Sequence, residues 1–262
     1  MISLRLFIHG CIIQYRALFA WATPLGYLSS KIMMPVFQVI FFVQLGVFAT
    51  GRGNALYFAI GNAIQVTAIN GIFGIVFTVG NERQFGTLPI LLASPANRLA
   101  TFLGRALMHV FDGMTSVVVG FAVAALLYGL SLERADLPLL IGCVVLTSIT
   151  VSGLGLMLGS LSLIYRDVLL IGNVVYFLFL ILAGVNFPVS RLPAALQAIS
   201  YALPMTRGIE ATRMAFAGAP AGRAAGLLAG EAAVGLAYAF VGYLLFVWLE
   251  RSARRGGLQE AY

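Results

Sequence analysis

Charge is what this sequence has least of. Of 262 residues only 10% are Asp, Glu, Lys or Arg, against roughly a quarter in a soluble domain. The deficit runs the whole length and accompanies 61% hydrophobic residues and a mean hydropathy of +0.98. That excludes a soluble domain with one anchor and indicates a single polytopic membrane domain over 1–262. Cysteine is also scarce: Cys11 and Cys143 make no disulfide framework. The two histidines, His9 and His109, make no metal-ligand cluster. Lysine occurs once, at Lys31, and the arginines are scattered. The net charge of +7 therefore points to loop bias and anionic lipid, not to nucleic acid.

Motifs are missing as well. There is no Gly-x-Ser-x-Gly, His-Glu-x-x-His or pair of intramembrane aspartates, which argues against a membrane enzyme. A secondary transporter or channel acting alone is the main alternative to the reading below. It would show internal repeats around a midplane ion site, and no convincing repeat is present.

What is there is a series of long apolar runs. Residues 1–23 read as an amphipathic helix on the membrane surface, because Arg5, His9 and Arg16 fall within about 40° of each other at helical spacing. His9, Gln14 and Arg16 interrupt the apolar core that a cleaved signal peptide requires. Spans are expected at Ile32–Thr50, Ala55–Gly80, Ala106–Leu130, Leu137–Ile164, Val168–Val185 and Ala224–Leu249. Lys31 would snorkel to headgroups at the start of the first, and Pro35 would sit in its first turn. Gly155 and Gly159 form a small-xxx-small face in the fourth. Segment 184–218 contains Pro188, Pro193 and Pro204 and two amphipathic pieces, near Leu192–Leu203 and Met205–Phe216. Both are too short to cross, so the segment reads as a re-entrant helical hairpin. Residues 250–262 are a polar tail.

With six spans both termini share a side. Placing them in the cytoplasm puts ten basic residues on that face and six on the other, the bias expected of a cytoplasmic amino terminus. It also puts Glu82–Pro95 in the cytoplasm and the hairpin outside. Within Glu82–Pro95, Thr87 is an N-cap candidate for a helix from Leu88 to about Ser94, with Leu88, Leu91 and Leu92 on one face and Pro95 favouring a stop. Two turns are about 10 Å long and need a groove to sit in.

These residues carry a resemblance. Glu82-Arg83, Gly86-Thr87-Leu88, Leu91-Leu92 and Ser94-Pro95 resemble the signature of ABC-2 type transporter permeases, where the segment is the cytoplasmic coupling helix between spans two and three. Phe187-Pro188-Val189-Ser190, Leu192-Pro193, Pro204, Arg207, Glu210 and Arg213 are similar to the external hairpin of that family between spans five and six. Pro89 departs from the pattern, standing where the family usually has Glu. The resemblance implies an all-α membrane protein with six transmembrane helices, an amino-terminal interface helix, a coupling helix and an external re-entrant hairpin. It implies a second permease, identical or related, and ABC ATPase subunits that carry ATP and Mg. The expected cargo is a hydrophobic or amphipathic molecule moving outward: a drug, a lipid or a lipid-linked glycan. A P-loop needs a Gly-rich run ending in Lys, and Lys31 follows Ser29-Ser30, so the chain is not expected to bind ATP, or any cofactor, itself.

Asp112 and Glu231 are the acids inside spans, candidates either for transport or for structural pairing, since a charge at mid-bilayer costs roughly 2.5–3.5 kcal/mol. Arg105 or His109 is the expected partner of Asp112, and Arg223 or Arg213 that of Glu231. Arg207, Glu210 and Arg213 are expected to satisfy one another at helical spacing and, with Phe187 and Pro188, are candidates for an external gate. Phe37, Phe41, Phe42, Tyr176, Phe177 and Phe179 are candidates for lining a path.

Overall fold

The computed structural model describes residues 9, 23–84, 86, 90, 98–162, 165 and 167–255. Among them the fold is all helix. Five helical stretches are long and apolar enough to cross a membrane: Leu25–Thr50, Arg52–Thr78, Ala106–Tyr128, Leu137–Leu161 and Ala221–Leu249. The interface helix expected over 1–23 lies outside the described residues except at His9 and Thr23.

Helix α1 is Pro24–Thr50. It starts eight residues before the expected Ile32, and the reason is local. Thr23 is a side-chain N-cap, its Oγ1 accepting from Gly26 N at 3.1 Å, and Pro24 occupies the first helical position, where a missing N–H is harmless. Lys31 therefore sits two turns inside the helix and Pro35 in its interior, not at its start.

The second crossing is α2 (Ala55–Ala68), a π-helical turn (Ile69–Gly74) and α3 (Ile75–Gln84). Helix α4 runs Arg98–Tyr128. Gly129, at φ 72°, ends it by returning its N–H to Ala125 O. Asp136 caps α5 (Leu137–Leu161), accepting from Leu139 N at 3.0 Å. α5 is the central helix. It carries no charge, is buried along most of its length, and packs against α3, α4 and the π-turn as well as the helices that follow. Gly155 meets the π-turn so closely that a Cβ there would collide with the carbonyl oxygen of Gly71.

Helix α6, Val168–Leu182, has 15 residues, about 22 Å, short of the roughly 30 Å hydrocarbon core. The expected span to Val185 stops early because the chain bends at 183–187, with Gly184 at φ 73°. Two short helices follow, α7 (Ala194–Ala202) and α8 (Thr206–Phe216), and then α9, Ala221–Arg255. α8 is buried against α5 and α9. One core cluster joins Val39, Phe58, Val123, Cys143 and Phe216, and a second joins Ile64, Ile72, Val117, Leu154, Phe179 and Ile209.

The Gly71–Gly155 approach gives a test of the packing. Gly155→Ala should cost about 1–3 kcal/mol through forced displacement of the π-turn, seen as a lower melting temperature in detergent micelles. Gly142→Ala, on the same helix with open space around its Cβ position, should leave the melt unchanged or raised. Equal melts for the two variants would show that the approach is not tight.

Candidate functional site

Three buried polar knots and one apolar groove make up the site. The first knot is built around Lys31. Two turns inside α1, the Lys31 ammonium forms an ion pair with Asp112 of α4, both side chains being largely buried. Lys31 Nζ also donates to Asp112 O and Ser116 Oγ, each at 2.9 Å, and to Asn70 Oδ1 at 3.3 Å. Tyr27, one turn before Lys31, donates its hydroxyl to Asp112 Oδ1. The partner of Asp112 is thus Lys31. His109, one of the two expected, faces Thr78 through Nε2 at 3.0 Å, and the side chain of Arg105, the other, lies outside the described residues. The π-turn has a role here: it holds Asn70 at the ammonium, and π-turns recur where a helix must re-aim a side chain.

The second knot is Glu231 of α9, fully buried. Its Oε1 accepts from Thr150 Oγ1 at 2.7 Å and from Met205 N at 2.5 Å, and its Oε2 accepts from Gly208 N at 3.1 Å. Among the described residues it has no arginine partner, so the expected pairing with Arg223 or Arg213 is not what forms. A carboxylate instead caps the amino terminus of α8, where free N–H groups and the helix dipole favour negative charge. Met205 takes a left-handed conformation, φ 82°, in delivering its N–H.

Arg213 is the third knot. It donates to Gly184 O at 2.8 Å, Val185 O at 3.0 Å and Tyr57 O at 3.0 Å, and its guanidinium lies 3.5 Å from the Tyr57 ring centroid. Burial pushes its pKa down to about 10, against the opposing pull of Tyr57 and Glu210, so it stays charged at neutral pH. Arg207 donates to Tyr201 O at 2.5 Å. Among the described residues neither arginine forms an ion pair with Glu210, which is exposed. The expected local triad is therefore replaced by arginine-to-carbonyl bonds that pin the bend after α6 and the end of α7. Phe187 stands exposed at the hairpin entrance, beside Pro188.

The groove, about 1020 Å³, lies along α1 and reaches α6. Phe37, Phe41, Phe42 and Tyr176 line it together with Gln38 and Gln44. Phe179 is fully buried in the core instead, and Phe177 is exposed. Sequence reasoning missed Lys31, Tyr27, Asn70 and Gln38 as members of the site. The signal available for the first was that it is the chain's only lysine.

Of the stretch 82–95, Glu82 and Arg83 continue α3, which ends at Gln84. Gly86 turns the chain at φ 66°, the left-handed region glycine favours, and Ile90 is helical and exposed. Thr87, Leu88, Leu91, Leu92, Ser94 and Pro95 lie outside the described residues, as do Arg5 and Arg16. His9 is helical and exposed. Among the described residues no cluster of His, Cys, Asp and Glu is arranged to hold a metal ion.

The family model described as ABC-2 type transporter matches residues 11–217, from before α1 to the end of α8. No match was found among curated proteins.

The Lys31–Asp112 pair is open to a direct test. Removing one partner of a buried pair leaves an uncompensated charge and typically costs about 3–5 kcal/mol, whereas replacing both with apolar groups is often neutral. Lys31→Met should therefore lower thermal stability sharply, and the Lys31→Met, Asp112→Leu double variant should recover most of the loss. A single variant as stable as the double would contradict the pairing.

Proposed function

The chain belongs to the ABC-2 type transporter family, and on that premise we propose that it is the permease of an ATP-driven exporter whose ATP hydrolysis takes place on separate subunits. The family supplies the transmembrane component of ABC transporters and normally works with ABC ATPase subunits. The chain is a multi-pass membrane protein. The observation that carries the finer reading is the groove on α1 and α6. It faces outward from the bundle, its floor is apolar with isolated amides, and one copy does not close it. Two permeases, identical or related, set groove to groove would enclose a path for a hydrophobic or amphipathic molecule: a drug, a lipid or a lipid-linked glycan.

The coupling role falls on 82–95. It connects α3 to α4, and α4 carries Asp112, which is bonded to Lys31 of α1. A push on this segment by an ATPase subunit would reach α1 through that ion pair. Glu82, Arg83 and Gly86 make the approach, and Thr87, Leu88, Leu91, Leu92, Ser94 and Pro95 the contact, with Arg5, His9 and Arg16 on an interface helix beside it. The six-span layout treats α6 with the bend after it as the fifth crossing. That layout keeps both termini cytoplasmic and puts the hairpin outside, with Phe187, Pro188, Arg207, Glu210 and Arg213 at the exit. Asp112 and Glu231 act in this reading by holding the moving helices, not by binding cargo.

Affinity purification of the tagged chain should bring down an ABC ATPase, and the reconstituted complex should move cargo only with ATP. Leu91→Asp with Leu92→Asp should uncouple ATP hydrolysis from transport while leaving membrane insertion intact. Transport without ATP or without an ATPase would instead support a secondary transporter or channel, and unchanged transport in the double variant would remove the coupling role.

A further inference from the structure

Helix α9 has two opposite faces. Glu231, Gly235, Gly242, Phe246 and Leu249 are buried and share an arc of about 60° at helical spacing. They seat the helix on α5, where Gly153 approaches Gly235 and Met157 approaches Gly242. Phe240, Val241, Leu244, Trp248 and Arg251 are exposed. These five fall within an arc of about 100° on the side away from α5.

The dimensions of the exposed stripe are those of one leaflet. The rise from Phe240 to Arg251 is about 16 Å, close to half of the roughly 30 Å hydrocarbon core. The apolar crossing ends at Leu249, so Arg251 stands where headgroups begin. It follows one turn after Trp248, a residue type enriched at that boundary. The helix continues to Arg255, whose register position falls within the same arc, while that of Glu250 falls outside it. Residues 250–255 hold three arginines against one glutamate.

Charge decides what covers this face. Two copies inserted in the same sense and meeting along it would set Arg251 against Arg251, because a two-fold interface pairs a patch with itself. A phosphate instead offers a guanidinium two acceptor oxygens. A headgroup with net negative charge is further drawn to basic residues just beyond a membrane helix, and a zwitterionic one is not.

We propose that the outward face of α9 is a binding site for an anionic phospholipid, whose acyl chain follows Phe240, Leu244 and Trp248 and whose phosphate sits at Arg251. The site shares no residue with the groove on α1 and α6 and requires neither cargo nor an ATPase.

The test uses the full-length chain with Trp21→Phe, which leaves Trp248 as its one tryptophan, in phosphatidylcholine vesicles. A fixed fraction of the lipid carries chains brominated near the glycerol end, which quench a tryptophan they touch. Brominated phosphatidylglycerol is compared with brominated phosphatidylcholine of the same chains. The quenching of Trp248 should give a relative binding constant about fivefold in favour of phosphatidylglycerol. Arg251→Gln with Arg255→Gln should bring that ratio close to one, while quenching by brominated phosphatidylcholine persists and shows that the face is intact. Equal quenching of the Trp21→Phe chain by the two lipids overturns the proposal, since the face is then wetted by lipid without selection. Quenching by neither lipid overturns it as well, because protein then covers the face. A preference that survives the double arginine substitution overturns the assignment to Arg251.

Discussion

A polar group buried in a bundle that faces hydrocarbon must find its partner within the protein, and this constraint organises the fold. Each of the three polar knots ties helices that are distant in sequence. Lys31 and Asp112 join α1 to α4 and to the π-turn of the second crossing. Glu231 joins α9 to α5 and to the amino terminus of α8. Arg213 joins α8 to α2 and to the bend after α6. Between them the knots reach every crossing, and each uses a charge whose removal would leave the other groups unpaired. Between them the helices meet at close approaches such as Gly71–Gly155.

This arrangement bears on motion. The segment that the proposed function assigns to an ATPase lies immediately before α4, and α4 is held to α1 by an ion pair. α1 in turn forms most of the groove. A displacement at the α3–α4 connection therefore has a short route to the wall of the groove, through charge-assisted bonds rather than through soft packing alone. The hairpin helix α8 is held from the far side by Glu231, whose carboxylate satisfies its first N–H groups.

Much of this was legible in the sequence. The run Leu137–Ile164 was read as an uncharged span, and Leu137–Leu161 of it forms α5. Gly155 signalled a close approach, and the prolines of 184–218 signalled broken helices. What was not legible has physical causes. Thr23-Pro24 is an N-cap followed by a helix-starting proline, and reading 1–23 as one surface helix hid it. Lys31 was then assigned to lipid headgroups, and its ion pair with Asp112 went unanticipated. Glu231 found backbone N–H groups and a threonine, partners that no search for basic side chains discovers. Arg207 and Arg213 likewise chose carbonyls over Glu210. The shortness of α6 follows from the bend at Gly184, which composition alone does not distinguish from a continuing span.

The claim most exposed to experiment is that a partner moves this chain through residues 82–95. In a background with Cys11 and Cys143 replaced by Ser, a single cysteine is placed at Leu91 or, as the control in the loop between α4 and α5, at Leu132. The purified complex is then labelled at that cysteine with a maleimide–benzophenone and irradiated, so that the second bond needs no thiol on the partner. The account predicts a crosslink between the chain and the ATPase subunit from position 91 and none from position 132. A crosslink from position 132, or an intact complex that crosslinks from neither position, would contradict it.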